Sequence, residues 1–295
     1  MRGWRAGVLA LTALAACGAE PADVEVTTSE PEGVELFAEV LAQHQALNAR
    51  VEGVAYRLFT AVAEECPRTH RVTGLTAHTL RDYPEDLRPL ARHLLGVDEG
   101  MSVRSVVDGS PADTAGVEAG DAIRRVGSMP VARSVVADRI WRIAEARELQ
   151  EEDVALGLVR DGSRVEVDVT TLAACDYPVN LIYSDAVNAH TDGEELYITS
   201  ELVRRTASDS RLALILAHEL AHALVHEGDF TGGPEKELEA DARGLELIHA
   251  AGFDAAEAID EMESFGRTLT QGFSGSHPLH GARVKALREQ VETLN

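Results

Sequence analysis

The spacing of hydrophobic positions changes period twice along this chain. Between Glu32 and Glu65, Val34, Phe37, Leu41, Val51, Val54, Leu58 and Val62 recur at spacings of three, four or sums of these. That pattern predicts one long or two shorter amphipathic helices. From Met101 to Val107 the pattern alternates and runs into Asp108-Gly109-Ser110-Pro111, a turn. Val154 to Val159 and Val165 to Thr170 also read as strands, joined through Asp161-Gly162-Ser163, a hairpin signal. Helical spacing returns in the apolar run Leu214 to His222. A second, acidic helix opens at Pro234 after the Gly232-Gly233 break.

Composition narrows the classes. The chain carries 27 Lys plus Arg against 50 Asp plus Glu, a formal net charge of −23, which argues against nucleic acid or anionic lipid headgroups as partners. At 45% hydrophobic residues there is core enough for two domains. Residues 1–16 read as a signal peptide, with Arg2 and Arg5 at the start and a short apolar stretch from Ala6 to Ala16. That stretch is too short to span a bilayer permanently. It ends Leu14-Ala15-Ala16-Cys17, which resembles a bacterial lipobox and implies lipidation and a membrane anchor at Cys17. Residues 17–33 are acidic and Pro-rich, as a flexible tether would be. Export predicts a periplasm-facing lipoprotein of the bacterial cell envelope, and Gly18 after the anchor points to the outer membrane. In an oxidising compartment the two remaining cysteines, Cys66 and Cys175, are expected to pair and to close a loop of about 100 residues.

The chemistry centres on His218-Glu219-Leu220-Ala221-His222. Residues four apart on a helix share a face, so His218 and His222 can reach one metal ion together. Glu219 stands where a general base for a metal-bound water belongs. Catalytic zinc normally takes three protein ligands, so a third is needed. The acidic helix offers Glu237 and Asp241, four apart on one face, with Glu239 pointing elsewhere.

The order His-Glu-x-x-His, then Glu237-Leu238-Glu239-Ala240-Asp241-Ala242-Arg243-Gly244, resembles the signature of the HtpX/BepA-like metallopeptidases, which include the CAAX prenyl proteases. These are gluzincins. The resemblance implies one Zn2+ per chain on His218, His222 and Glu237, Glu219 as base, and Asp241 as the group orienting a ligand imidazole. Ser276-His277-Pro278-Leu279-His280-Gly281-Ala282-Arg283 resembles the family's T-H-P-x-x-x-x-R element. It implies a place near the metal for His277, either stabilising the oxyanion or occluding the open position. Asn188 to Gly193, then Glu195 to Ser200 with Tyr197, resembles the turn and edge strand before the zinc helix. Such a strand would pair with an extended substrate backbone. His226, one turn past His222, reads as structural or supporting.

The middle of the chain, Val103 to Ile123, follows the order V-x-x-V-x-x-G-S-P-A-x-x-A-G-V-x-x-G-D-x-I and resembles a PDZ domain of the bacterial periplasmic-protease type. Val136 to Leu149 would line its groove, and Thr73-Gly74-Leu75 is the candidate carboxylate-binding loop. The expected organisation is a lipoprotein signal peptide (1–16), tether (17–33), N-terminal helical segment (34–66), PDZ-like domain (68–172) and zinc metallopeptidase domain (176–295). The expected class is α+β: a mainly helical zincin-type peptidase domain with a small edge sheet, plus a β-rich PDZ domain. The resulting expectation is an envelope zinc endopeptidase acting on polypeptides, in particular unfolded or misassembled envelope proteins, with no nucleic-acid partner. The rival reading is a lipoprotein chaperone or assembly scaffold that binds peptide C-termini through the PDZ domain and uses zinc structurally.

Overall fold

A computed structural model describes residues 32–132, 136–225, 233–268 and 281–294, with side chains from residue 38 on except at residues 266–268. Cys17, His226 and His277 lie outside the described residues.

The N-terminal pattern forms a single helix, α1 (Glu32–Ala61), closed by a 3-10 turn at Ala63–Glu65. Its apolar face, including Val51, Val54, Leu58 and Phe59, is buried in the largest core of the molecule. The chain then leaves that core through β1 (Thr69–Val72), which pairs antiparallel with the returning β8 (Leu172–Cys175). Beside this two-stranded ribbon, Cys66 and Cys175 are disulfide-bonded, with Cα atoms 5.5 Å apart.

Between the ribbon's two strands lie β2 (Leu75–His78), α2 (Arg88–Leu95), β3 (Ser102–Val106), α3 (Pro111–Thr114), β4 (Ala122–Val126), β5 (Met129–Pro130), α4 (Ala137–Arg147), β6 (Asp153–Arg160) and β7 (Ser163–Thr170). The sheet runs β2-β3-β4-β6-β7, with β5 against β4, and all its pairs are antiparallel. β6 and β7 meet through Asp161 (φ 49°) and Gly162 (φ 78°), the two positive φ values that a two-residue type I′ hairpin demands. Its own core gathers Val103, Ile123, Leu156 and Leu158 from the sheet under Trp141 and Ala144 of α4. β2 is an edge strand, so one side of its backbone is open to pairing.

The remaining chain returns to the first core. β9 (Val179–Ile182), β10 (Ala189–Thr191) and β11 (Leu196–Thr199) form a three-stranded sheet in the order β10-β11-β9. α5 (Ser200–Arg205), α6 (Asp209–Val225), α7 (Pro234–Ala250), α8 (Ala255–Thr268) and α9 (Gly281–Leu294) complete it. α6 is central: Ser210 to Ala223 are all buried. A helix buried on every side is one wrapped by neighbours, here α1, α7 and α8 with the sheet.

α1 also ties the two cores together. Val51 and Val54 face the helical core, while Glu52 accepts hydrogen bonds from Thr76 (2.8 Å) and Ser105 (2.7 Å) and pairs with Arg104 on the β2–β3 sheet. Beside it, His44 stacks on Tyr183 at 4.5 Å, and His78 bonds the Tyr83 hydroxyl at 2.8 Å.

Candidate metal centre

The site is built where α7 crosses α6. Gly244 makes the close approach possible: a Cβ there would stand 3.1 Å from the backbone nitrogen of His218. On α7, Glu237 and Asp241 are buried one turn apart, while Glu235 and Glu239 are exposed. Pro234 occupies the first turn of α7, where its missing N–H costs nothing.

Three candidate ligands converge there. His218 Nε2 and His222 Nε2 lie 3.1 Å apart, and each lies 3.4 Å from a different oxygen of Glu237. Among the described residues these three are the cluster able to hold a metal ion. A zinc ion bound at its usual ~2.0–2.1 Å to tetrahedral ligands separates them by about 3.3 Å, so the triangle matches the ion's size. The donor set, two imidazole nitrogens and a carboxylate, suits zinc. Glu219 is buried beside His218 on α6.

Asp241 Oδ1 lies 3.0 Å from His218 Nδ1, so the carboxylate stands on that side of the ring and Nε2 faces the triangle. Arg283 of α9 donates to both Asp241 oxygens at 2.6 Å and pairs with Glu237 Oε2 at 2.9 Å. One guanidinium thus fixes the orienting carboxylate and a candidate ligand together, from a third helix. The charges are tightly balanced. Burial disfavours a charged His218, but the carboxylates of Asp241 and Glu237, aided by Glu219, outweigh it and push the imidazole up to about 9. Burial likewise opposes the Asp241 anion, and the hydrogen bonds from Arg283, with the nearby His218 imidazole, overcome it and hold the carboxyl low. Metal binding requires neutral imidazoles, so a cation here competes with that proton.

A cavity of about 70 Å³ opens from this centre. Asn188 and Ala189 border it beside His218 and Glu219, and its far reaches run along α6 to Arg211. Of the described strands of this sheet, β10 is the outer one nearest the centre. Tyr197, expected on the substrate edge strand, sits on the middle strand, β11, because β9 pairs parallel along its other side. Its hydroxyl donates to Asp192 and Glu195, and its ring stacks on His190 at 4.9 Å.

Sequence reasoning assigned no role to Arg283, although the residue closes the Ser276-to-Arg283 motif; its two-helix reach is a tertiary fact. Glu52 went unnoticed among the apolar positions that defined its helix. At the candidate carboxylate loop, Gly74 has φ +84° and a Cβ there would lie 2.2 Å from Ser110 Cβ, so the turn requires glycine. The loop borders a cleft of about 230 Å³ shared with Tyr56 and Phe59 of α1 and Val179 of β9.

Comparisons with known proteins fit this division. The PDZ domain profile matches residues 77–171. The profile of Peptidase family M48 matches residues 160–228, which include His218, Glu219 and His222 and stop short of Glu237. A search of curated proteins finds no match. Among solved structures, the HtrA3 PDZ domain bound to a phage-derived ligand is 20% identical, covering 36% of this chain and 89% of that one at a TM-score of 0.26. The HtrA-type protease AlgW with a decapeptide is 22% identical, covering 35% of this chain and 30% of that one at a TM-score of 0.25. This chain therefore joins a PDZ domain to a metallopeptidase domain of family M48.

Proposed function

We propose that the protein is a zinc endopeptidase of the bacterial cell envelope that hydrolyses unfolded or misassembled polypeptides. The observation that carries this is the triangle of His218, His222 and Glu237 with Glu219 beside it, opening on a cavity that β10 borders. A zinc ion held by the three would polarise a scissile carbonyl and bring the pKa of a water to about 7. Glu219 would take that water's proton and pass it to the leaving amine. Asp241, braced by Arg283, keeps the His218 ring turned so that Nε2 faces the ligand triangle. The backbone of β10, an outer strand beside the cavity, would align an extended substrate with little dependence on its side chains.

β2, the open edge of the PDZ domain, would capture a substrate terminus and raise its local concentration at the metal centre. Lipidation at Cys17 would place the enzyme on the periplasmic face of the outer membrane, and His277 would act at the oxyanion or cap the metal.

The test incubates the chain from Gly18 onward with casein, comparing wild type and Glu219→Gln at matched zinc content. Cleavage by wild type alone is expected, with the variant slower by about 10²- to 10⁴-fold. Equal cleavage would remove Glu219 as base. No cleavage by either, with zinc bound, would favour a scaffold in which the metal is structural.

A further inference from the structure

The cavity at the metal centre has a charged end that hydrolysis itself does not use. Arg211 lies seven residues before His218 on α6, two turns or about 10 Å along the axis, and lines the same cavity. It is only 9% exposed. Among the described residues no hydrogen bond or ion pair reaches its guanidinium, although arginine carries five N–H donors. The carboxylates in its neighbourhood are engaged elsewhere. Glu261 accepts from the backbone of Ala207 and Ser208 and from the Ser208 hydroxyl. Asp241 is held by Arg283 and His218.

A buried, unpaired cation is costly, and arginine does not escape the cost by discharging. Burial lowers its pKa only to about 10, so it stays charged at neutral pH. The walls between Arg211 and the metal centre are apolar, with Leu214 and Ile215 on α6 facing Leu202, Met262 and Phe265. A narrow apolar passage ending in an unsatisfied guanidinium suits a ligand with a methylene stem and an anionic tip.

We infer that this cavity is the subsite for the residue flanking the scissile bond, and that Arg211 selects a carboxylate there. The carboxylate comes from a glutamate side chain or from the substrate's own C-terminus. This assignment rests on the peptidase reading and adds substrate class to it. Arg211 is a specificity residue with no part in moving protons.

The experiment measures kcat/KM on quenched fluorescent peptides of one sequence. Glu, Gln or Lys is placed in turn on either side of the cleaved bond, and each peptide has a free or an amidated C-terminus. Wild type should prefer Glu over Gln, or the free terminus over the amide, by at least about tenfold, equivalent to ~1.4 kcal/mol. The side-chain and terminal arms separate the two carboxylate sources. Arg211→Met should erase the preference, and Arg211→Glu should turn it toward Lys. Arg211→Met should also raise the melting temperature, because it removes an unpaired buried charge. Cleavage that ignores both carboxylates overturns the subsite and leaves the peptidase standing. If no peptide is cleaved, the affinity of Glu219→Gln protein for the Glu and Gln peptides decides: equal affinity sinks the subsite, and a tenfold difference keeps it. A lower melting temperature for Arg211→Met would mark a structural arginine and also overturn it. Should that variant fail to fold, Arg211→Lys with the same peptides serves, and a Glu preference undiminished from wild type counts against the assignment.

Discussion

Replacing Arg283 by Met isolates what holds the candidate metal centre together in the absence of metal. Arg283 is 5% exposed and its carboxylate partners Glu237 and Asp241 are as deeply buried, so solvent screens these pairs little. Removing one partner of a buried pair costs about 3–5 kcal/mol, because the other charges are left uncompensated. At roughly 2–4 °C per kcal/mol for domains of this size, the metal-free melting temperature should fall by at least ~6 °C. Zinc adds a second expectation. Without the guanidinium the three buried carboxylates Glu219, Glu237 and Asp241 have lost a cation that a divalent ion replaces. Zinc should therefore raise the melting temperature of Arg283→Met by more than it raises wild type. Arg283→Lys, which keeps the charge and loses the fork, should fall between the two. The assay is differential scanning fluorimetry with chelator and with saturating zinc. A metal-free melting temperature within 1 °C or so of wild type, or a zinc increment no larger than wild type's, would refute the account.

Gly244→Ala gains up to ~1 kcal/mol of helix propensity but must move α7 off the backbone of His218, so net destabilisation with weaker zinc binding is expected by melting and by zinc titration. Reducing the Cys66–Cys175 bridge releases a closed loop with a sequence separation of 109 and should cost about 4–5 kcal/mol in the chain-entropy model; equal denaturation midpoints with and without reductant would contradict this. His78 is held down to about 4 by burial, with the Arg104 and His44 charges adding to it. Its folded pKa lies below its unfolded one, so its share of stability is whole above about pH 6.5 and is lost as pH falls toward 4, on the order of 3 kcal/mol in all. His78→Gln should flatten the dependence of melting temperature on pH over that window.

The clustering of the candidate ligands was largely legible because its information is local. His218 and His222 are one turn apart, as are Glu237 and Asp241, and a helix converts such spacing directly into a shared face. The hairpin at Asp161-Gly162 was legible for the same reason. What the sequence hid depends on packing between distant segments. Arg283 acts across two helices, and Tyr197 moved from edge to centre because β9 arrives from a segment with no strong alternation. α2 and its small core with Leu41, Leu80 and Tyr83 were missed because its apolar positions are few and broken by charge. Arg211 sits within an apolar helix as an ordinary interruption until the cavity around it is seen.

The β1–β8 ribbon, sealed by its cystine, has a consequence for how such a chain could be assembled. A module of roughly a hundred residues enters and leaves the helical body through two adjacent strands, so the body sees little more than a hairpin at that point. A graft at this doorway leaves the order of helices around the metal centre untouched. One inserted module could be exchanged for another of the same end-to-end span, or shortened to a turn, with Leu41, Gln45 and Glu52 on α1 left to be rematched. The metallopeptidase body and the PDZ domain are in that sense separable parts, joined at a seam that can be recut.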